Sequence, residues 1–424
     1  MERQPPRGTD DLLPPRADAM LGLYEEAHRT AALFGYRYVE TPVFESTELF
    51  ARTSGGTSDV VTKEMYTFED KGGRSLTLRP ESTAPVVRAF LAHAHDLPSP
   101  FKGYYVNTAY RHGRPQAGRL REFRIFGVEA IGTASADADV EVIEVADRYL
   151  RDRGLARFTL HLNSIGDDVC RPAYREMLVA HFESHLDELD EDCRTRLRTN
   201  PLRVFDCKVD GQKDFVLEAP VISEHLCEAC ATHFNAVRAG LEAAGIAVEL
   251  DPRLVRGLDY YTRTAFEFVS DALEGGQTTV CGGGRYDGLA ELLGGPPTPG
   301  VGFGMGLDRV LLAMGEEGVE APAARGVTCF VVALGEEARP VASALVRDLR
   351  IAGVASASSL EDRPMKAQLR TAERSGTAFV AVMGPREATS GVVSIRRLGE
   401  QETEEVALAD VVNWLTQRDG ASER

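Results

Sequence analysis

The stretch YRHGRPQAGRLREFR, residues 110–124, places five arginines in fifteen positions of a 424-residue chain whose formal net charge is −17. Two runs rich in aromatic and β-branched residues flank it, GYYVNTAYR (103–111) and EFRIFGVEAIG (122–132). The glycines and Pro115 between them therefore read as the loop of an antiparallel hairpin. Arg111 lies at a strand end, and Arg114, Gln116 and Arg119 lie on the loop. A guanidinium fixed at a strand end grips a phosphate through paired N–H donors, which a lysine ammonium does less specifically. By its residues alone the loop reads equally as a solvated basic turn. The acidic chain repels polyanions on average, so a phosphate-rich ligand has to be met by a local cluster such as this one.

Upstream, residues 18–33 repeat at helical spacing and stop before Gly35, and YRYVETPVF (36–44) alternates as a strand that meets Pro42. Further strand-like runs are SLTLR (75–79) and RFTLHLNSIG (157–166). Together they predict a mostly antiparallel sheet with helices packed on it. Residues 170–234 are highly charged, poor in β-branched residues and helical in pattern, which predicts a helical insertion. Strand character returns over 246–269, and a glycine-rich block, 275–306, leads into the helix LDRVLLAMG (307–315). The connector EEGVEAPAARG marks a domain boundary near Arg325; beyond it strand and helix alternate, as in a compact α/β domain.

Three segments besides the arginine loop point to chemistry. RLVRGLDYYTRT (253–264) sets Arg256, Asp259, Tyr260 and Tyr261 beside a glycine; if extended, it would turn one tyrosine into the core and the other toward a pocket. In TTVCGGGRYDGL (278–289) three glycines imply close approach to a ligand or a neighbouring strand, but no amphipathic helix follows as a dinucleotide fingerprint requires. VGFGMGLDRVLL (301–312) ends a strand in alternating glycines and brings Arg309 to a helix N-terminus, where backbone N–H groups favour an anion. Arginines and glycines gathered at strand ends describe a nucleotide site.

Seven irregularly spaced cysteines suit reduced thiols rather than a disulfide framework. CEACATH brings Cys227, Cys230 and His233 near ligand spacing, with Cys193 and Cys207 upstream; Cys227 and Cys230 also fit one face of an amphipathic helix, and no metal site is assigned. The opening residues carry charge and proline where a secretory leader needs an apolar run, and no window is apolar enough for a membrane span, so a cytoplasmic protein is expected.

In this order the segments resemble the histidyl-tRNA synthetase family of class II aminoacyl-tRNA synthetases along essentially the whole chain. GYRYVETPVFE is similar to motif 1, YRHGRPQAGRLREFR with GVEAIG to motif 2, and GFGMGLDRVLL to motif 3. LVRGLDYYT and GGGRYDGL are similar to the two peptides peculiar to the histidine enzymes. The resemblance implies an α+β fold: an antiparallel class II catalytic core over 1–325 with the helical insertion, then an α/β anticodon-binding domain over 326–424. It also implies a homodimer that charges tRNA(His) with L-histidine, using ATP and Mg²⁺; on the cysteine pattern read above, Zn²⁺ is not expected. ATP would lie against Arg111, Arg119, Phe123 and Arg309, with Arg111 on the α-phosphate, Arg309 on the γ-phosphate and Phe123 stacked on adenine. Arg256, catalytic with Arg111, would stand in for a metal ion at the reacting phosphate. Glu81 and Thr83 would hold the substrate amino group. Glu129 and Tyr261, with Tyr260 and Tyr286, would enclose the imidazole, and Arg114 and Gln116 would face tRNA.

Two motif 2 positions depart from the family pattern. Gly113 stands where a glutamate is usual and Ile125 where a glutamine helps hold the amino group, which leaves that task to Glu81 and Thr83. The alternative the departures suggest is a non-charging paralogue, the regulatory subunit of ATP phosphoribosyltransferase. Such paralogues typically lack the anticodon-binding domain and degrade the RGLDYY peptide, and this chain keeps both.

Overall fold

A computed structural model describes residues 3–53, 63–207, 209–275, 277–321 and 326–419. The chain divides into two compact units, Met1–Pro322 and Ala323–Arg424. The boundary expected near Arg325 lies outside the described residues.

In the first unit, α1 (Arg16–Leu33) buries Met20, Leu23, Ala27 and Ala31 at helical spacing and ends before Gly35, whose φ of 78° suits a residue without a Cβ. The strand expected over 36–44 is instead two short ones, β1 (Arg37–Tyr38) and β2 (Phe44–Ser46), in different sheets. The break has a physical cause. The buried Arg79 guanidinium takes the carbonyl oxygens of Thr41 (2.8 Å) and Pro42 (3.4 Å), and Pro42 has no N–H for a ladder. After α2 (Thr47–Thr53), β3 (Thr67–Glu69) and β4 (Ser75–Leu78) complete a three-stranded sheet with β2.

After α3 (Thr83–His93) the main sheet, which β1 opens, continues with β5 (Phe101–Tyr110) and β6 (Glu122–Ile131) paired antiparallel from Phe101↔Ile131 to Tyr110↔Glu122, the hairpin expected around the arginine loop. It continues with α4 (Ala136–Asp152) and β7 (Phe158–Ser164). The insertion follows as α5 (Arg171–Glu183), α6 (Glu191–Thr199), α7 (Asp214–Leu217) and α8 (Glu228–Ala243). Then come β8 (Glu249–Leu250), β9 (Thr262–Ser270), β10 (Thr279–Arg285), α9 (Leu289–Leu292), β11 (Gly300–Gly306) and α10 (Leu307–Glu317). Strand order is β1-β5-β6-β11-β10-β9-β7-β8, antiparallel except at its two edges, where β1 and β8 pair parallel.

Period-two alternation decides what each face carries. On β6, Phe126, Val128 and Ala130 enter the main core beneath α1, α4 and α10, while Ile125 and Glu129 face the other way. On β11, Val301, Phe303 and Met305 enter that core and the alternating glycines face the opposite side. The sheet therefore has one packed apolar face and one face floored by glycine.

Arg285 crosses to the packed side. It is wholly buried and paired with the equally buried Asp139 of α4, with further bonds to the carbonyls of Thr133 (2.8 Å) and Ser135 (3.0 Å). His233 of α8 joins the same carboxylate at 3.2 Å.

In the second unit, β12 (Cys329–Ala333), α11 (Ala338–Ile351), β13 (Ser356–Ser358), α12 (Met365–Arg374), β14 (Phe379–Met383), α13 (Pro385–Ser390), β15 (Val392–Arg397), β16 (Glu404–Ala407) and α14 (Val411–Asp419) form a five-stranded mixed sheet. Its order is β13-β12-β14-β15-β16, with β13, β12 and β14 parallel. Cys329 and Val331 pack on one face and Phe330 and Val332 on the other, the two-sided burial that parallel strands need.

Replacing Asp139 by Asn removes the wholly buried partner of the Arg285 charge and leaves it only the partly exposed Asp287 carboxylate at 3.1 Å, a loss of about 3 kcal/mol. The Asp139→Asn variant is expected to melt several degrees below the parent by scanning fluorimetry; an unchanged midpoint would contradict the role given to this pair.

Candidate active site

On the glycine face, Glu129 is fully buried with three hydroxyl donors: Thr83 Oγ1 at 2.7 Å and Tyr105 at 3.1 Å on one carboxylate oxygen, and Tyr286 at 2.5 Å on the other. Burial pushes its carboxyl up to about 8, against the opposing pull of those hydroxyls. Glu81 is also buried and raised, to about 7, chiefly by burial. Its oxygens accept from the backbone N–H groups of Thr83 (2.6 Å) and Ala84 (3.1 Å), so it caps the start of α3 and fixes Thr83 against Glu129. Tyr105 was not among the residues singled out from the sequence; its place beside Tyr104 on an alternating strand was the available signal.

Tyr260 and Tyr261 do not alternate across a strand. β9 starts only at Thr262, and both rings are buried together with centroids 4.7 Å apart and Tyr286 6.1 Å from Tyr260. The segment turns because Arg263, at a φ of 50°, exchanges backbone bonds with Gly166 and Ile165 (2.7 Å each), and Arg171 holds the Tyr261 carbonyl. Asp259 faces the insertion, taking Asn200 (2.9 Å) and Arg203 (2.8 Å). Glu81, Thr83, Glu129, Tyr260, Tyr261 and Tyr286 thus gather in one buried cluster.

The arginines sort by partner. Arg111 donates to the Pro80 carbonyl at 2.8 Å and lies 5.5 Å over the Phe123 ring. Among the described residues Arg309 donates to neutral oxygens, those of Gly118 (2.7 Å), Thr279 (2.6 Å) and the Gln277 side chain (2.5 Å). Burial, then repulsion from Arg111 and Arg119, brings its guanidinium down to about 10, so it stays charged at neutral pH. Three cations held this close are relieved by an anion. Arg256 differs. It pairs with Glu267, which raises its pKa in spite of burial, and it lies 5.5 Å over the Tyr261 ring. Glu267 also accepts from Thr279 Oγ1 at 2.8 Å, linking Arg256 to the strand that holds Arg309.

The five arginines of the opening stretch do not act as one patch. Arg124 is buried against Asp308 (3.1 Å), and Arg121 bonds the carbonyls of Gly113 and Arg7 (3.2 Å each). Arg119 pairs with Glu64, its guanidinium occupying the space over Gly113 where a side chain would stand. Arg114 and Gln116 are exposed at the tip, which is closed by backbone bonds between Gln116 and Arg119. His112 is exposed with its ring edge-on to Tyr66. Ile125 is buried on the pocket face, with no polar atom to offer an amino group.

An antiparallel sheet with a cluster of half-buried arginines beside a buried group of carboxylates and phenols is the catalytic core of an aminoacyl-tRNA synthetase. The family model "Histidyl-tRNA synthetase" matches residues 8–310, and "Anticodon binding domain" matches residues 328–418. The chain belongs to the histidyl-tRNA synthetase family. It is 46% identical over 421 residues to a histidine–tRNA ligase of Geobacillus sp. (99% of this chain, 100% of that one) and 48% identical over 410 residues to one of Moorella thermoacetica (96% and 97%). It is also similar to the apo crystal structure of Staphylococcus aureus histidyl-tRNA synthetase, with a TM-score of 0.81 and 37% identity, covering 97% of this chain and 99% of that one.

The glycine floor explains the spacing in GFGMG. A methyl at Gly302 would lie 1.9 Å from a Glu129 carboxylate oxygen and 2.5 Å from the Val128 carbonyl, whereas one at Gly304 meets only Ile125, at 3.6 Å. Gly302→Ala is therefore expected to lose about 1–3 kcal/mol of stability, as overpacked sites do, and Gly304→Ala much less. Equal melting temperatures for the two variants would contradict this.

Proposed function

We propose that the chain activates L-histidine with ATP to histidyl-adenylate and pyrophosphate, then transfers histidine to the 3′ end of tRNA(His). The observation that carries this reading is the meeting of two unlike sites on one glycine-floored face. One is a pocket whose buried acceptor suits an imidazole N–H. The other is a set of guanidiniums whose like charges are not fully neutralised.

Arg111 and Arg256 take the α-phosphate from two sides. As the substrate carboxylate attacks, charge grows on the equatorial phosphate oxygens, and fixed donors there stabilise the transition state more than the ground state. Arg309 and Arg119 hold the outgoing pyrophosphate, and Phe123 offers its free face to adenine. Glu64 and Glu267, each already shared with an arginine, are the carboxylates that would hold the nucleotide's Mg²⁺, which would neutralise phosphate charge. Glu81 and Thr83 face the amino group. Glu129 takes an imidazole N–H with Tyr260, Tyr261 and Tyr286 around the ring, and a side chain lacking that N–H leaves the carboxylate short of a partner.

Arg114 and Gln116, exposed on the loop, meet the tRNA acceptor end, while residues 326–424 take the anticodon; residues 1–325 are the catalytic domain. Val43, Phe44 and Phe68 lie exposed around β2 and β3, which suits a homodimer interface in the motif 1 region. Among the described residues no helix is long and apolar enough to cross a membrane, and all seven cysteines are free, in keeping with a cytoplasmic enzyme.

Pyrophosphate is expected to exchange into ATP with histidine and with no other amino acid. Arg256→His should lower that exchange by about 10²-fold or more with the fold intact. Exchange driven by a different amino acid, or by none, would reject the reading.

The pH dependence follows from Glu129. Its carboxyl is neutral below about 8, so the KM for histidine should rise as pH falls from 8.5 to 6.5. Tyr286→Phe, which removes a donor that pulls this pKa down, should move the midpoint higher. A midpoint near that of free imidazole, roughly 6.5, and unmoved by Tyr286→Phe would show that the substrate titrates instead.

A further inference from the structure

The structure regroups the cysteines of the insertion. Cys193 and Cys207 lie with Asp190 and Asp210, while Cys227 and Cys230 lie with Cys170 and Asp167 at the corner between β7 and α5. His233 belongs to neither group, being bound to Asp139. The second group has the spacing Asp167-x-x-Cys170 and Cys227-x-x-Cys230, two short-range pairs from distant parts of the chain.

All four donor atoms lie within 4.8 Å of one another. Cys170 Sγ is 3.8 Å from Cys230 Sγ and 3.5 Å from Asp167 Oδ1, and Cys227 Sγ is 3.7 Å from the same oxygen. A tetrahedron built from Zn–S bonds of about 2.3 Å and a Zn–O bond of about 2.0 Å has edges of roughly 3.8 Å between sulfurs and 3.5 Å from sulfur to oxygen. The Cys170–Cys230 and Cys170–Asp167 separations match these edges, and Cys227–Asp167, at 3.7 Å, is slightly longer.

Helix ends, a backbone N–H and arginines surround the four donors. Cys170 and Cys227 are the N-cap residues of α5 and α8, neither side chain makes a capping bond, and two positive helix ends therefore meet at the sulfurs. The Asp167 N–H points to Cys170 Sγ at 3.3 Å. Arg263 pairs with the second Asp167 oxygen at 3.3 Å, and Arg171 follows Cys170 directly. The other group is differently occupied: Asp190 caps α6 through the Cys193 N–H (2.5 Å), and Asp210 is paired with Lys213 (2.7 Å).

We propose that Asp167, Cys170, Cys227 and Cys230 form a structural Zn²⁺ site. On binding, the three thiols release three protons and the metal takes three thiolates and one carboxylate. The resulting site carries a net charge of −2, which the two guanidiniums offset. It clamps the first and last helices of the insertion together. Through Arg263 and Arg171, which hold the turn at Tyr261, it steadies one wall of the pocket.

The test is metal content, which needs no substrate and stands apart from the aminoacylation reading. The full chain purified without chelator should hold about one zinc per molecule, and the Co²⁺-substituted protein should show tetrahedral d–d bands with a thiolate-to-metal charge-transfer band. Cys230→Ser should lower zinc content at least tenfold, and Cys193→Ser should leave it unchanged. Should Cys230→Ser fail to fold, the Co²⁺ spectrum of the parent decides. Three results would each overturn the proposal: neither zinc nor a thiolate–cobalt band in the parent, equal metal loss in Cys193→Ser, or a disulfide joining Cys170 and Cys230 in the protein as isolated.

Discussion

A carboxylate buried away from solvent is the constraint around which the catalytic face is arranged. Taking Glu129 out of solvent is costly, and the cost is offset only by direct donors. Thr83, Tyr105 and Tyr286 supply three. An ionised carboxylate offers roughly four acceptor directions, so one remains for a ligand N–H. To bring three hydroxyls to one group, a helix start, two strands and the corner after β10 must converge, and Gly302 must carry no side chain. Glu81, by capping α3, sets the position of Thr83 and hence one of the three donors.

The second principle is the partner each arginine has. Arg124 and Arg285 are closed ion pairs on carboxylates and belong to the core. Arg309 is half-buried on neutral oxygens, and Arg111 on a carbonyl and a ring, so their charge stays available to an anion. Arg256 stands between these cases, since Glu267 orients it while its opposite side faces the tyrosines. A count of arginines along the chain says nothing of this, because the sorting depends on which strand face each one leaves from.

Much of the fold was legible because its signals were local. The hairpin around residues 110–124, the helix α1 and the alternation in VGFGMGLDRVLL all read correctly from period and turn chemistry. The strand expected over 36–44 broke because a distant side chain, Arg79, took its carbonyls. Tyr260 and Tyr261 came to one side because Arg263 takes a positive φ that no local pattern announces. Tyr105 and Glu267 were overlooked for a related reason, since each is one residue on a strand whose significance lies in a partner far along the chain. The cysteines show the same limit. Nearest-neighbour spacing grouped Cys227 and Cys230 with Cys193 and Cys207, whereas folding placed them with Cys170 and Asp167.

The account's central claim is that one buried carboxylate and a set of guanidiniums on the same glycine floor recognise the two ends of one molecule. A crystal structure of the chain with a non-hydrolysable histidyl-adenylate analogue tests it most directly. The expected result has an imidazole nitrogen within hydrogen-bond distance of Glu129 and the phosphate or its mimic bridged by Arg111 and Arg256. An analogue seated elsewhere, or one whose imidazole points away from Glu129 while the arginines keep their protein partners, would contradict it.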